Sequence, residues 1–294
     1  MILKQLKSKF IETLSGSYPP EEIQSFFNWL AESYLGYSRF EVSINSGLII
    51  SAEHTAKFSE ALQRLQNHEP IQYILGETEF YGLPYKVTPA TLIPRPETEE
   101  LVQWIIDGIP PSKRAGGMLA ENKIEILDIG TGTGCIAISL AKNIENTKVS
   151  AIDISAEALQ VAKENATLNE TSVTFLQTDI LNTIMLPQQY DVIVSNPPYV
   201  RAMEKKHMQA NVLKHEPDTA LFVTNEEPLL FYRAIATLAK KHLTPNGTLY
   251  FEINEYLSGE MKQLLEQEGF TEIELKKDIF GKFRMLKCRW SVSV

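Results

Sequence analysis

Apolar residues recur at helical spacing through the first third of the chain. They fall at Leu3, Leu6, Phe10 and Leu14, then at Ile23, Phe26, Phe27, Leu30 and Tyr34, then at Phe58, Leu62 and Leu65. Side chains three and four positions apart share one face of a helix, so the spacing predicts a small helical bundle over residues 1–75. Pro19-Pro20-Glu21-Glu22 reads as a helix start, with proline in the first turn and carboxylates at the positive end of the helix dipole. From Gly76 to Pro96 the texture changes. Thr78-Glu79-Phe80-Tyr81-Gly82 and Tyr85-Lys86-Val87-Thr88, broken by Gly82 and Pro84, predict a short β-hairpin linking two domains over 76–96.

The remainder, 97–294, reads as one α/β domain. A helix is predicted over 97–106, followed by a polar loop carrying Pro110-Pro111 and Gly116-Gly117. Strands are then predicted at 124–129, 148–153, 172–177, 190–195, 248–253, 272–276 and 283–290, with helices at 135–143, 156–168, 228–241 and 256–268. Alternation of this kind predicts a doubly wound, mainly parallel, seven-stranded sheet covered on both faces. Ligands in such folds bind at the carboxyl ends of the strands, where the strand order reverses.

Composition narrows the classes. The chain has 294 residues, 44% hydrophobic and 22% charged, with 15 Gly and 15 Pro, which excludes disordered and collagen-like chains and allows about two domains. Lys and Arg number 28 against 37 Asp and Glu, a net charge of -9. The pI is near 5.2, and a charge of this sign opposes attraction to phosphate backbones, so no direct nucleic-acid partner is expected. The first 75 residues carry 6 basic and 8 acidic side chains and form no basic arm. Cys135 and Cys288 lack C-x-x-C spacing, and His54, His68, His207, His215 and His242 lack zinc-ligand spacing, so no metal is expected. With no apolar run of 18 residues and no secretory core near Met1, the chain reads as cytoplasmic, without a membrane partner.

The first α/β strand runs into Asp128-Ile129-Gly130-Thr131-Gly132-Thr133-Gly134-Cys135, a glycine-rich turn between a strand and a helix start. Backbone approaches a ligand closely at such a turn. Gly132 to Ala137 also satisfies the dinucleotide pattern G-x-G-x-x-A, so the glycines alone do not separate a nicotinamide cofactor from other nucleosides. Asp153 ends the second strand, 21 residues after Gly132. There its carboxylate suits both ribose hydroxyls; the structural alternative is an acid preceding a Ser155 helix cap. The D-x-G-x-G-x-G run from Asp128 resembles the cofactor motif of S-adenosylmethionine methyltransferases, which implies that Asp128 lies near the methionine end. An Asx-type bond within the turn is its structural alternative.

Ser195-Asn196-Pro197-Pro198-Tyr199 follows the fourth of these strands. Two prolines fix the backbone and remove N–H donors, leaving as acceptors the Asn196 side-chain oxygen and the carbonyls of Asn196 and Pro197, with the Tyr199 ring beside them. A planar NH2 group fits this set. Two acceptors hold its hydrogens, the ring covers its face, and charge developing on nitrogen during methyl transfer is stabilised by the oxygens. The proton can leave afterwards, so no titrating base is required.

Asn-Pro-Pro-Tyr also resembles the site of DNA adenine-N6 methyltransferases and does not by itself identify the amine. More specific are His68-Glu69-Pro70-Ile71-Gln72-Tyr73-Ile74-Leu75-Gly76, Phe80-Tyr81-Gly82 and Leu92-Ile93-Pro94-Arg95-Pro96-Glu97-Thr98-Glu99. Together they closely resemble the HemK-type protein glutamine-N5 methyltransferases, which modify the glutamine of the Gly-Gly-Gln motif in peptide chain release factors. Glu216-Pro217-Asp218-Thr219-Ala220-Leu221-Phe222 is similar to a later signature of that family, and the resemblance covers about residues 68–254.

The resemblance implies S-adenosylmethionine as cofactor, held at Asp128, Gly130, Thr131, Gly132, Thr133, Gly134, Asp153 and Asn196, and a release factor as partner. It implies substrate contact at Asn196, Pro197, Pro198 and Tyr199, with Asn196, Pro197 and Tyr199 catalytic, and a helical domain that docks the substrate. Where the family often has an aromatic residue near adenine, this chain has Asp179-Ile180: either Ile180 packs on the base and Asp179 accepts from its amino group, or the pair ends a strand. Arg95 and Thr98 are expected to approach the cofactor carboxylate or the glutamine loop, unless Arg95 pins the linker. Cys135 is read either as a thiol of lowered pKa at a helix N-terminus or as a small packing residue. An adenine-N6 methyltransferase is the alternative function, for which Lys205-Lys206-His207 is only a short basic cluster. A nicotinamide oxidoreductase or nucleotide binder leaves Asn-Pro-Pro-Tyr without a role.

Overall fold

The apolar stripe of the first third folds into the helices α1 (Leu3–Leu14), α2 (Pro20–Leu35) and α4 (Ala52–Gln66), joined by the shorter α3 (Arg39–Ile44) and followed by α5 (Ile71–Leu75). Their inward faces carry the expected residues; Phe10, Phe27 and Phe58 meet with ring centroids 5.3 to 6.0 Å apart. Pro20 opens α2 with Glu21 and Glu22 in its first turn, and Gly36 closes it in the left-handed conformation. The computed structural model describes residues 1–111, 123–208 and 210–290, so the Gly116-Gly117 part of the expected polar loop lies outside the described residues. By contacts the chain divides into two units: Met1–Gly76 together with the distant helix α9 (Ala210–His215), and the rest.

The second unit begins with the hairpin of β1 (Glu77–Phe80) and β2 (Leu83–Lys86), paired antiparallel. Its two-residue turn, Tyr81-Gly82, has φ of 52° and 70°, the positive pair that tight hairpins with the native strand twist require. Phe80 and Tyr85 point inward, and the Tyr85 hydroxyl bonds Ser139 Oγ at 3.0 Å. The buried side chain of Asn165 is the anchor: Oδ1 accepts from Lys86 N (2.7 Å), while Nδ2 donates to Lys86 O (3.0 Å) and Thr133 O (2.9 Å).

Among the described residues the main sheet has seven strands: β3 (Ile124–Ile129), β4 (Thr147–Asp153), β5 (Val173–Gln177), β6 (Tyr190–Ser195), β9 (Leu243–Glu252), β10 (Thr271–Lys277) and β11 (Phe283–Arg289). The order is β10-β11-β9-β6-β3-β4-β5, with β11 antiparallel to both its neighbours and β9, β6, β3, β4 and β5 paired parallel. The helices α6 (Pro96–Gly108), α7 (Cys135–Asn143), α8 (Ala156–Leu168), α11 (Leu230–His242) and α12 (Ser258–Gln267) build two apolar layers on this sheet. The fold is therefore the expected doubly wound sheet after a helical bundle and hairpin.

Several boundaries differ from expectation. β9 starts five residues early because Leu243 pairs with Tyr190 before an irregularity shifts the register to Val192 with Thr248. A 3-10 turn, Glu255–Leu257, precedes α12, where one continuous helix was expected; Asn254 caps it by accepting from Tyr256 N at 3.0 Å. The short pair β7 (Val200–Arg201) and β8 (Phe222–Val223) and the helix α10 (Asp218–Leu221) lie where no strand or helix was expected. No helix among the described residues is long and apolar enough to cross a membrane.

Candidate active site

Strand register lines up the candidate residues. Ile129 pairs with both Ile152 and Ser195, and Ser195 with Phe251. The next residues, Asp153, Gly130, Asn196 and Glu252, therefore leave four neighbouring strands at one level of the carboxyl edge. The order reverses between β3 and β6, so the glycine turn and Asn196 flank the crevice there.

In the glycine turn, Gly130, Gly132 and Gly134 have φ of 74°, 54° and 82°. A side chain at Gly134 would put Cβ 2.9 Å from Ile138 Cδ1, so glycine lets α7 pack there, whereas the space beside Gly130 and Gly132 is open. Gly130 N and Thr131 N donate to Ile152 O (2.8 and 3.1 Å), and Gly132 N donates to Asp153 Oδ2 (2.9 Å). Asp153 Oδ1 accepts from Ser155 N at 3.0 Å, and Ser155 caps α8. Asp153 thus ties the turn to β4, and each carboxylate oxygen keeps a lone pair for a further donor.

Asp128 is fully buried. Its Oδ2 accepts from the Thr131 hydroxyl at 2.7 Å, while Oδ1 has no hydrogen-bond partner among the described residues. Burial, with Asp153 adding repulsion, pushes its carboxyl up to about 7. A buried acceptor left open beneath a glycine turn suits a cationic ligand group. Asp179 accepts from Leu181 N (2.9 Å) and Asn182 Nδ2 (2.6 Å), and Ile180 packs against the core layer of β9 and α11. Ile154, next to Asp153, is an exposed apolar residue at the same edge that the sequence reading passed over.

Pro197 is buried, and Asn196, Pro198 and Tyr199 are half-buried. Asn196 Nδ2 donates to Thr98 Oγ1 at 3.4 Å, and Thr98 donates to Glu252 Oε2 at 2.6 Å. The Tyr199 hydroxyl donates to Glu252 Oε1 at 3.0 Å. Burial and the neighbouring Glu252 hold that phenol far above its ordinary pKa, so it stays a donor. Asn254 Nδ2 fastens the following chain by donating to Tyr199 O (3.1 Å) and Glu204 Oε2 (2.9 Å).

Arg95 has the contacts of a linker pin: Arg95 Nη2 donates to Glu216 Oε1 at 2.6 Å, and Glu216 Oε2 accepts from Ile93 N at 3.4 Å. Thr98 instead meets Asn196 and Glu252. Burial pushes the Cys135 thiol up to about 12, which corrects the lowered-pKa reading, since desolvation outweighs the helix N-terminus. Lys205 lies 3.8 Å from the Phe222 ring centroid and is not a free basic group. The sequence reading missed Glu252, whose Phe-Glu-Ile-Asn context carries no motif of its own. The available signal was a carboxylate directly after the apolar run Leu249-Tyr250-Phe251 at the end of β9.

Comparison with known proteins agrees with this architecture. A family model described as the PrmC N-terminal domain matches residues 5–76, and one described as the methyltransferase small domain matches 117–222. Among solved structures, the human methyltransferase 10 domain containing protein is similar in fold, with a TM-score of 0.51 and 19% identity over 72% of this chain and 90% of that one. The hMettl16 catalytic domain, solved with the MAT2A 3'UTR hairpin 6, has a TM-score of 0.52 at 16% identity, covering 84% of each chain. A protein of Flavobacterium psychrophilum named release factor glutamine methyltransferase is 48% identical over 98% of this chain and 99% of its own length. A namesake from Bacteroides thetaiotaomicron is 44% identical over 94% and 95%. Identity of this extent, spanning both the helical unit and the glycine-turn domain, makes the chain a member of the release factor glutamine methyltransferase family.

Proposed function

We propose that this enzyme methylates the side-chain amide nitrogen of the glutamine in the Gly-Gly-Gln motif of a peptide chain release factor, in the cytoplasm. The observation that carries this reading is the acceptor corner at Asn196-Pro197, on the carboxyl edge level with the glycine turn. S-adenosylmethionine is the cofactor and, when bound, supplies an electrophilic methyl group. Gly130, Thr131, Gly132, Thr133 and Gly134 offer it an open backbone turn, Asp153 the free lone pairs for its ribose, and Asp128 the unpartnered oxygen for its amino group. Ile154 and Ile180 supply apolar surface, and Asp179 an acceptor, for the base.

The residues of this chain then do the positioning. Asn196 Oδ1 and the Asn196 and Pro197 carbonyls accept the two amide hydrogens, Pro198 stiffens the corner, and the Tyr199 ring covers the amide face. An amide nitrogen is a poor nucleophile because its lone pair is delocalised. Acceptors that favour a pyramidal nitrogen and offset its developing positive charge lower the barrier selectively. Fixed geometry contributes on the order of 7–11 kcal/mol in favourable intramolecular models. One amide hydrogen leaves as a proton after transfer, with no titrating base needed. The helical unit docks the body of the protein substrate.

The test is incubation with methyl-labelled S-adenosylmethionine and, separately, a release factor, the same factor with its motif glutamine replaced by alanine, and duplex DNA. Label is expected on the intact factor alone; label on DNA, or equal label on the substituted factor, overturns the assignment.

A further inference from the structure

Glu252 has no task in the chemistry above, yet it is a buried carboxylate at the edge of the sheet. It ends β9 with 2% of its surface exposed, and both oxygens are bonded by hydroxyls rather than by a cation: Thr98 at 2.6 Å and Tyr199 at 3.0 Å. Its backbone carbonyl also accepts from the Tyr232 hydroxyl at 3.0 Å. Taking a carboxylate out of water costs several kcal/mol, and two neutral donors offset only part of that. Burial accordingly pushes its pKa up, against the pull of Thr98, Tyr199 and the nearby Arg284. An apolar residue of similar volume would serve stability better.

The hydrogen-bond directions indicate what the carboxylate does. An ionised carboxylate only accepts, so the hydroxyl protons of Thr98 and Tyr199 are both committed to Glu252. Thr98 Oγ1 is then left with lone pairs alone. Only the NH2 end of the Asn196 amide can face it, as observed, and Asn196 Oδ1 is turned away from Thr98 as an acceptor. With a glutamine at 252, an NH2 group donates into this cluster. The Thr98 hydroxyl is then free to donate to Asn196, and the amide can turn over and offer donors where a substrate NH2 needs acceptors.

We propose that Glu252 is a positioning residue: through Thr98 it sets which end of the Asn196 amide faces the substrate, and through the Tyr199 hydroxyl it holds the aromatic ring. This rests on the reading of Asn196 and Tyr199 as the substrate clamp, and the experiment separates the two. Glu252→Gln, Asn196→Ala and the double variant are compared for kcat, KM toward a release factor, S-adenosylmethionine Kd by calorimetry, and Tm.

The expected result for Glu252→Gln is a kcat lowered about 100-fold, Kd within about threefold and Tm equal to or above that of the parent, since a buried charge has been removed. Adding Asn196→Ala should cost less than about threefold more, because both changes disable one chain of bonds. If Asn196→Ala keeps full turnover, the clamp reading fails. If Asn196→Ala loses turnover while Glu252→Gln stays within about threefold of the parent, or the two losses multiply, the role of Glu252 is overturned. Thr98→Val provides the same test without altering the charge: kcat should fall with Kd kept, and Thr98→Ser should recover most of the loss. Equal turnover in the Val and Ser variants overturns the relay even if Glu252→Gln does not fold.

Discussion

Asp128 is held at the base of the glycine turn with one oxygen bonded to Thr131 and the other open. In the unfolded chain its carboxyl titrates near about 3.9, whereas in the fold burial holds it at about 7. A folded pKa above the unfolded one means that the stabilisation is complete below the unfolded value and is lost as pH rises through about 7. In cofactor-free protein, Asp128→Asn should therefore gain on the parent in Tm from about pH 4 to about pH 7 and keep that gain, without further rise, at higher pH. Thermal melts across that range check this, and a difference that does not change with pH contradicts it. The candidate site residues were nameable from the sequence because most of them stand in a recognisable run. Their partners were not: Thr98, Asn196 and Glu252 are brought together from positions up to 154 residues apart, and nothing in the local sequence of Glu252 indicates which hydroxyls it will meet.

At the scale of elements, the hydrophobic periods of two and 3.6 carried most of the fold. Parallel strands such as β3 and β6 are buried on both faces and read as apolar runs, and α8 shows its buried face at helical spacing. The irregularity that lets β9 begin at Leu243 was not legible, because Thr244-Pro245-Asn246-Gly247 looks like a turn and stands between the β6 pairs of Tyr190 with Leu243 and Val192 with Thr248, without a partner of its own in that register. The short β7, β8 and α10 have too few residues to display a period. Asn165 carries no signal of its own in the sequence, being one polar position on α8, although it binds the hairpin and the glycine turn at once. Asn165→Leu leaves Lys86 N, Lys86 O and Thr133 O without that partner and is expected to cost about 2–4 kcal/mol. At about 2–4 °C per kcal/mol, Tm should fall visibly. Because Thr133 belongs to the glycine turn proposed to hold the cofactor, Kd for S-adenosylmethionine should rise as well. A variant that melts earlier with unchanged Kd would show that the hairpin and turn are independent.

For the whole molecule, the relevant fact is that each unit has its own core. Phe58, fully buried, touches Phe10, Phe27 and Tyr34 within the first unit. Phe58→Ala should remove about 3–5 kcal/mol from that unit while leaving S-adenosylmethionine Kd within about twofold. Calorimetry and titration on the same preparation would decide it, and a parallel loss of cofactor affinity would mean that the units unfold as one. If the helical unit docks the protein substrate, KM for the release factor should also rise in this variant more than KM for a short Gly-Gly-Gln peptide.

The return of Ala210–His215 to the first unit, where His215 Nε2 bonds Asn67 O at 3.0 Å, affects how the protein can be divided. A gene fragment stopping at residue 76 yields a bundle missing one of its own pieces, and one starting at residue 77 carries that piece without the surface it folds against. Exchange of the helical unit between relatives by a single crossover would therefore leave a mismatched helix behind. A productive exchange has to move residues 210–215 along with the first 76, so the two segments are constrained to diverge together.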